Sequence, residues 1–172
     1  VGEIGIDLYW DKTYVKEQID TFRVQVQWAK KLQLPIAIHA RDSFKEIFQV
    51  LNEEHNDNLT GVFHCFSGNA DEAKQALSYE GFKLGIGGVV TFKKSTLPSV
   101  LESIDLRNLV LETDSPYLAP RPFRGKRNES MYLTYIVKKL AEIYKVEESE
   151  IVKRTSLNAK ELFKLDKFLR NE

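Results

Sequence analysis

Apolar and polar positions follow two rhythms along the chain. Five short runs, VGEIGID (residues 1–7), LPIAIHA (34–40), TGVFHCF (60–66), FKLGIGGVV (82–90) and NLVLETD (108–114), are apolar and rich in branched residues, which predicts buried strands. Between the first two, Val15, Ile19, Phe22, Val26, Ala29 and Leu32 recur at three and four residues, the spacing that lines one face of a helix. Thr13 is its expected N-cap. Phe44, Ile47, Phe48 and Leu51 repeat the pattern after Asp42. In NADEAKQALSYEG, Asn69 is the expected cap with Glu72 three residues on, and Gly81 is the expected stop. A proline-rich loop follows the fifth run, and from about Glu129 to Leu165 the pattern is helical throughout.

Strands and helices in alternation predict a parallel sheet with right-handed crossovers. Such a sheet is either open and doubly wound or belongs to a closed eight-stranded barrel, and the polar residues favour the barrel. Glu3, His39, His64 and Asp114 each fall in or at the end of a different run; a barrel gathers these ends at one mouth, whereas an open sheet spreads them in a line. Alternation of side chains turns His39 to the face of Ala37, His64 to that of Val62 and Glu112 to that of Asp114. The same rule turns Cys65 outward with Phe63, toward the helices, where a thiol nucleophile is not expected.

Composition narrows the classes further. The 172 residues carry equal numbers of basic and acidic side chains, so there is no global field to gather nucleic acid or an anionic membrane, and phosphate recognition has to be local. A single cysteine excludes an internal disulfide framework and fits the cytoplasm. No run reaches the roughly 20 apolar residues of a membrane span. With no linker or repeat, residues 1–172 read as one domain. Two imidazoles with two carboxylates at successive strand ends form the ligand set of zinc, manganese or magnesium in hydrolytic sites. His55, in a polar loop, receives no role.

The segments GEIGID, LPIAIHARD, GVFHCFSG, GGVVTFKK, LETDSPYLAP and RGKRNE together resemble the successive motifs of the TatD family of metal-dependent deoxyribonucleases, which are amidohydrolase-like barrels. The resemblance implies a distorted (β/α)8 barrel with two divalent metal ions, hydrolysing DNA phosphodiesters, often from the 3′ end, with DNA as substrate and no stable protein partner. It implies that Glu3 bridges the two ions, that His39 and His64 complete one site, and that Asp114 serves the other. Asp114 is also the candidate to accept a proton from the attacking water. Arg41, Arg124, Lys126 and Arg127 are candidates to hold phosphate, and Glu112 to orient a ligand.

By the same resemblance, the N-terminal third of the usual family chain, with its His-x-His strand, is expected to be missing from this sequence, and VGEIGID looks like the fourth barrel strand. The expected architecture is therefore a partial TIM-type barrel, its C-terminal five strand-helix units. VGEIGID and NLVLETD should then be open edges prone to self-association, with inward residues such as Ala37, Val62 and Gly85 or Ile86 facing no partner. A small-molecule amidohydrolase, or a catalytically silent chain with one metal site, are the alternative readings.

Overall fold

A computed structural model of the chain describes residues 1–165. Its five strands are β1 (Ile4–Asp7), β2 (Ile36–Arg41), β3 (Gly61–Phe63), β4 (Phe82–Ile86) and β5 (Leu109–Leu111). All four pairings are parallel, in chain order, as the alternating pattern predicts. Helices α1 (Val15–Leu32), α2 (Phe44–Glu54) and α3 (Ala70–Ser78) make the first three crossovers. The fourth is broken into two 3-10 turns, Gly88–Thr91 and Leu106–Asn108, flanking a short α4 (Leu97–Leu101). Helices α5 (Leu133–Tyr144) and α6 (Glu148–Phe163) follow the loop after β5.

Local signals explain most boundaries, with two corrections. The Asn69 side chain accepts the Asp71 and Glu72 N–H groups while Glu72 reaches back to the Asn69 N–H, the reciprocal cap expected at α3. Thr13 does not cap α1: the helix starts after Tyr14 without a side-chain cap, and the Thr13 N–H is held by Asp11 in a local turn. The fourth run stops being a strand at Ile86, because its GGVV continuation coils into the 3-10 turn. Glycine is required there, since a Cβ on Gly88 would strike the Leu118 carbonyl.

The main core lies between the sheet's outer face and the helices, where Ile6, Phe22, Ile38, Phe63, Leu84 and Leu109 are shut off from solvent. Branched strand residues facing amphipathic helices produce this layer, and its apolar area is the main source of stability. The opposite face is not left unpartnered as expected. Val62 and Val110 pack with Leu162 of α6, flanked by Ala37 and Ala159, in a second, smaller apolar cluster. Ile86 belongs to the outer core. Asn158 pins α6 in place: only 3% exposed, it donates to the Leu106 and Leu109 carbonyls at 2.9 and 2.6 Å.

Strands β1 and β5 are the two edges of the sheet, and each has a side chain laid along it. On the side of β1 facing away from β2, Gln18 of α1 accepts the Asp7 N–H at 2.9 Å and donates to the Asp7 carbonyl at 3.2 Å. On β5 the Leu109 carbonyl takes the Asn158 amide. No helix among the described residues is long and apolar enough to cross a membrane.

Candidate functional site

The register of the sheet explains how distant residues meet. Gly5 lies beside His39 in the β1–β2 pair, and the backbone there approaches so closely that a Cβ on Gly5 would collide with the His39 carbonyl. Glu3 immediately precedes β1, His39 lies within β2, His64 follows β3, and Asp114 follows β5. All four side chains line one open cavity of about 530 Å³, with Arg41, Cys65, Ser67, Tyr117 and Leu118 also on its wall. Side chains in or beside four of the five strands therefore meet at one opening, as expected of a barrel mouth, with Glu3 entering from the start of β1 rather than from its end.

Two imidazoles organise this cavity. His39 has a carboxylate at each ring nitrogen, Glu3 at 2.9 Å from Nδ1 and Asp7 at 3.0 Å from Nε2. His64 Nδ1 is 2.8 Å from Glu112 Oε2, while the other Glu112 oxygen accepts the Cys65 N–H. This fixes the ring so that Nε2 faces inward, 3.8 Å from Glu3 Oε1 and 3.7 Å from Asp114 Oδ1. Those separations exceed hydrogen-bond reach and are near the spacing of two donors that share an ion about 2.0–2.2 Å from each.

Hydrogen bonding to Cys65 and to Glu112 raises His64 from 6.5 to about 11, against the opposing effect of burial. Burial pushes the Cys65 thiol up. At Asp7, burial opposes ionisation, but the Tyr9 N–H, His39 and Arg41 outweigh it and hold the carboxyl below its usual value.

The donor set fits a divalent metal. A metal-bound histidine commonly has a carboxylate on its second nitrogen, which sets the tautomer and ring direction; Glu112 stands in that relation to His64, and Glu3 and Asp7 flank His39. His64, Cys65 and Glu112 also offer donor atoms within 4.8 Å of one another. That trio is a poorer cradle, because both Glu112 oxygens already accept from protein groups and a thiol must lose its proton to bind metal.

Cys65 is a correction to the sequence reading. Strict alternation places it among the helices, but β3 ends at Phe63, and Cys65 adopts φ +44° and turns its thiol to the cavity wall. Arg41 reaches the cavity, its guanidinium carbon 3.7 Å above the Tyr9 ring. Arg124 instead lies 3.9 Å over Phe92 and donates to the Ala119 carbonyl, and neither it nor Arg127 lines this cavity. His55 packs against Tyr79 and Phe82 and bonds the Glu80 carbonyl. Asp7 is the residue that sequence reasoning missed, although its spacing from Glu3 carried the signal: residues 3, 5 and 7 share a strand face.

Parallel strands backed by helices, with His39, His64 and Asp114 toward their C-terminal ends and Glu3 just before β1, define a class of (β/α)8 barrel-type folds, represented here by five strand units. Within that class the chain belongs to the family described as TatD related DNase, which matches residues 1–164. It is 41% identical over 167 residues to the "uncharacterized metal-dependent hydrolase YabD" of Bacillus subtilis, covering 96% of this chain and 65% of that protein. The crystal structure of YJJV, a TatD homologue from Escherichia coli, superposes with a TM-score of 0.89 at 30% identity, covering 95% of this chain and 63% of the other. A TatD family hydrolase from Entamoeba histolytica superposes at 0.80 with 26% identity, over 95% and 62% of the two chains. The chain thus spans slightly under two thirds of the length of these relatives.

Proposed function

We propose that this chain forms part of the active site of a divalent-metal-dependent hydrolase that cleaves DNA phosphodiesters from the 3′ end, on one barrel domain that includes residues 1–172. The observation that carries the reading is the convergence of Glu3, His39, His64 and Asp114 on a single open cavity that also receives Arg41. When bound there, a divalent ion would acidify water for attack at neutral pH and offset charge on the phosphate oxygens. Glu3, which lies between the two imidazoles, would hold the ion together with His39 and His64. Asp114, its Oδ1 3.7 Å from His64 Nε2, would ligate the ion and take a proton from the attacking water. Glu112 keeps His64 Nε2 pointed inward. Arg41 is the cation we assign to phosphate, because its planar fork suits two phosphate oxygens. The single thiol supports a cytoplasmic setting.

Metal titration of the purified chain by calorimetry tests the first half of this reading: one divalent ion should bind tightly, and His64→Ala should abolish that binding. End-labelled DNA and a panel of esters and amides test the second half, with the chain alone and with the part of YabD that it does not span added back. DNA cleavage appearing on reconstitution supports the proposal. Amide or lactone hydrolysis without DNA cleavage overturns it in favour of a small-molecule amidohydrolase.

A further inference from the structure

Three aromatic side chains stand in solvent beside the candidate site. Trp10 is 81% exposed, Tyr9 50% and Tyr117 69%, and Tyr117 itself lines the cavity. Exposed aromatics standing singly are ordinary, as at Tyr14 and Trp28; an adjoining pair beside a cavity marks a contact surface. Tyr9 and Trp10 are also ordered relative to each other. Their rings meet edge to face at 4.7 Å, and the Arg41 guanidinium lies 3.7 Å from the Tyr9 centroid and 5.9 Å from that of Trp10.

This ladder is tied to the cavity by one carboxylate. Asp7 Oδ1 accepts the Tyr9 N–H at 3.0 Å while Oδ2 is 3.0 Å from His39 Nε2, and Gln18 bonds both backbone groups of Asp7. The aromatic pair is thus held in fixed relation to His39 rather than carried on a free loop, and Arg41, the cation that stiffens it, also lines the cavity. An exposed aromatic face beside a guanidinium that can reach phosphate is the combination that takes a base and its backbone together.

We propose that Trp10, steadied by Tyr9 and Arg41, is a stacking platform for an unpaired nucleobase next to the phosphate held in the cavity. The proposal rests on the reading of the chain as a nucleic-acid phosphodiesterase and names the part of the substrate recognised beyond the phosphate. A phosphate contact alone accepts any backbone, whereas a stacking platform needs a base. The platform accepts any of the four, because each has a π face.

The test uses metal chelation, so that binding is read without cleavage. Two labelled hexamers with the same number of phosphates serve as probes, one of thymidylate and one wholly abasic, with affinities from fluorescence anisotropy. The chain should bind the thymidylate hexamer about 5-fold or more tightly than the abasic one. Trp10→Ala should bring that ratio to about one without changing affinity for the abasic probe, and Trp10→Phe should keep most of the preference. In a Trp28→Phe background, Trp10 emission should be quenched by the thymidylate probe alone. An unchanged ratio in Trp10→Ala, an equal loss for both probes, or no binding of the thymidylate hexamer overturns the platform. These readouts do not depend on catalysis, so absence of DNA cleavage, which sinks the activity assignment, is a separate outcome.

Discussion

The carboxylate of Glu112 occupies the space that a side chain on Gly85 would need: an ideal Cβ there would lie 2.7 Å from the Glu112 carboxyl carbon and 2.7 and 2.8 Å from its oxygens. The glycine of β4 therefore lets the glutamate that follows β5 reach across to His64 and Cys65.

Gly85→Ala should dislodge Glu112 and release the His64 ring without creating a cavity. Loss of such an orienting partner typically costs 10–100-fold in metal affinity, so calorimetric titration should show at least about a tenfold weaker metal site, with Glu112→Gln behaving similarly. Unaltered affinity in both variants would remove Glu112 from the account.

Protonation of His64 makes the metal-free chain sensitive to pH. Its pKa rises from 6.5 to about 11 on folding, so its stabilising contribution is complete below 6.5 and is lost as pH climbs toward 11. Urea denaturation in EDTA should show stability from this group declining across that window, and Glu112→Gln should flatten the decline. Because a ligating imidazole must be neutral, metal affinity should rise over the same range. Each ion bound should release close to one proton, read from calorimetric enthalpies in buffers of different ionisation heat.

Glu3→Ala, His39→Ala and His64→Ala should each weaken divalent-metal binding in the titration. His55→Ala should leave metal binding intact but lower stability by about 1 kcal/mol through its lost bond to Glu80 and lost ring contacts. Equal metal loss in all four variants would indicate general unfolding.

Asn158→Ala leaves two carbonyls, of Leu106 and Leu109, without their shared donor. Such a loss costs about 1–3 kcal/mol. Leu162→Ala, which empties part of the inner cluster, should cost about 2–5 kcal/mol. Denaturation midpoints check both, and a change below measurement error in each would show that α6 does not brace the sheet.

Much of the arrangement could be read from the chain because period and position carry it. Apolar runs marked the five strands, and four polar residues in or beside four of them share one cavity. Alternation failed at Cys65, where the strand ends two residues earlier and a left-handed turn reverses the side chain. It could not show α6 either: which helix covers the inner sheet face depends on long-range packing of Leu162 with Val62 and Val110, and nothing in the local pattern of α6 distinguishes that face. Asp7 was legible but overlooked, whereas the Arg124 stack on Phe92 depends on the path of the proline-rich loop and has no local signature.

Gln18 gives one helical carboxamide the task of an adjacent backbone. It accepts from and donates to Asp7 as a neighbouring strand does, but unlike a strand it presents no further rung for another chain to copy. At the end nearest the cavity, Asp7 therefore has no free backbone group left for another strand to pair with. The insulation resides in α1, so a change on a helix surface, with the sheet untouched, would be enough to remove it.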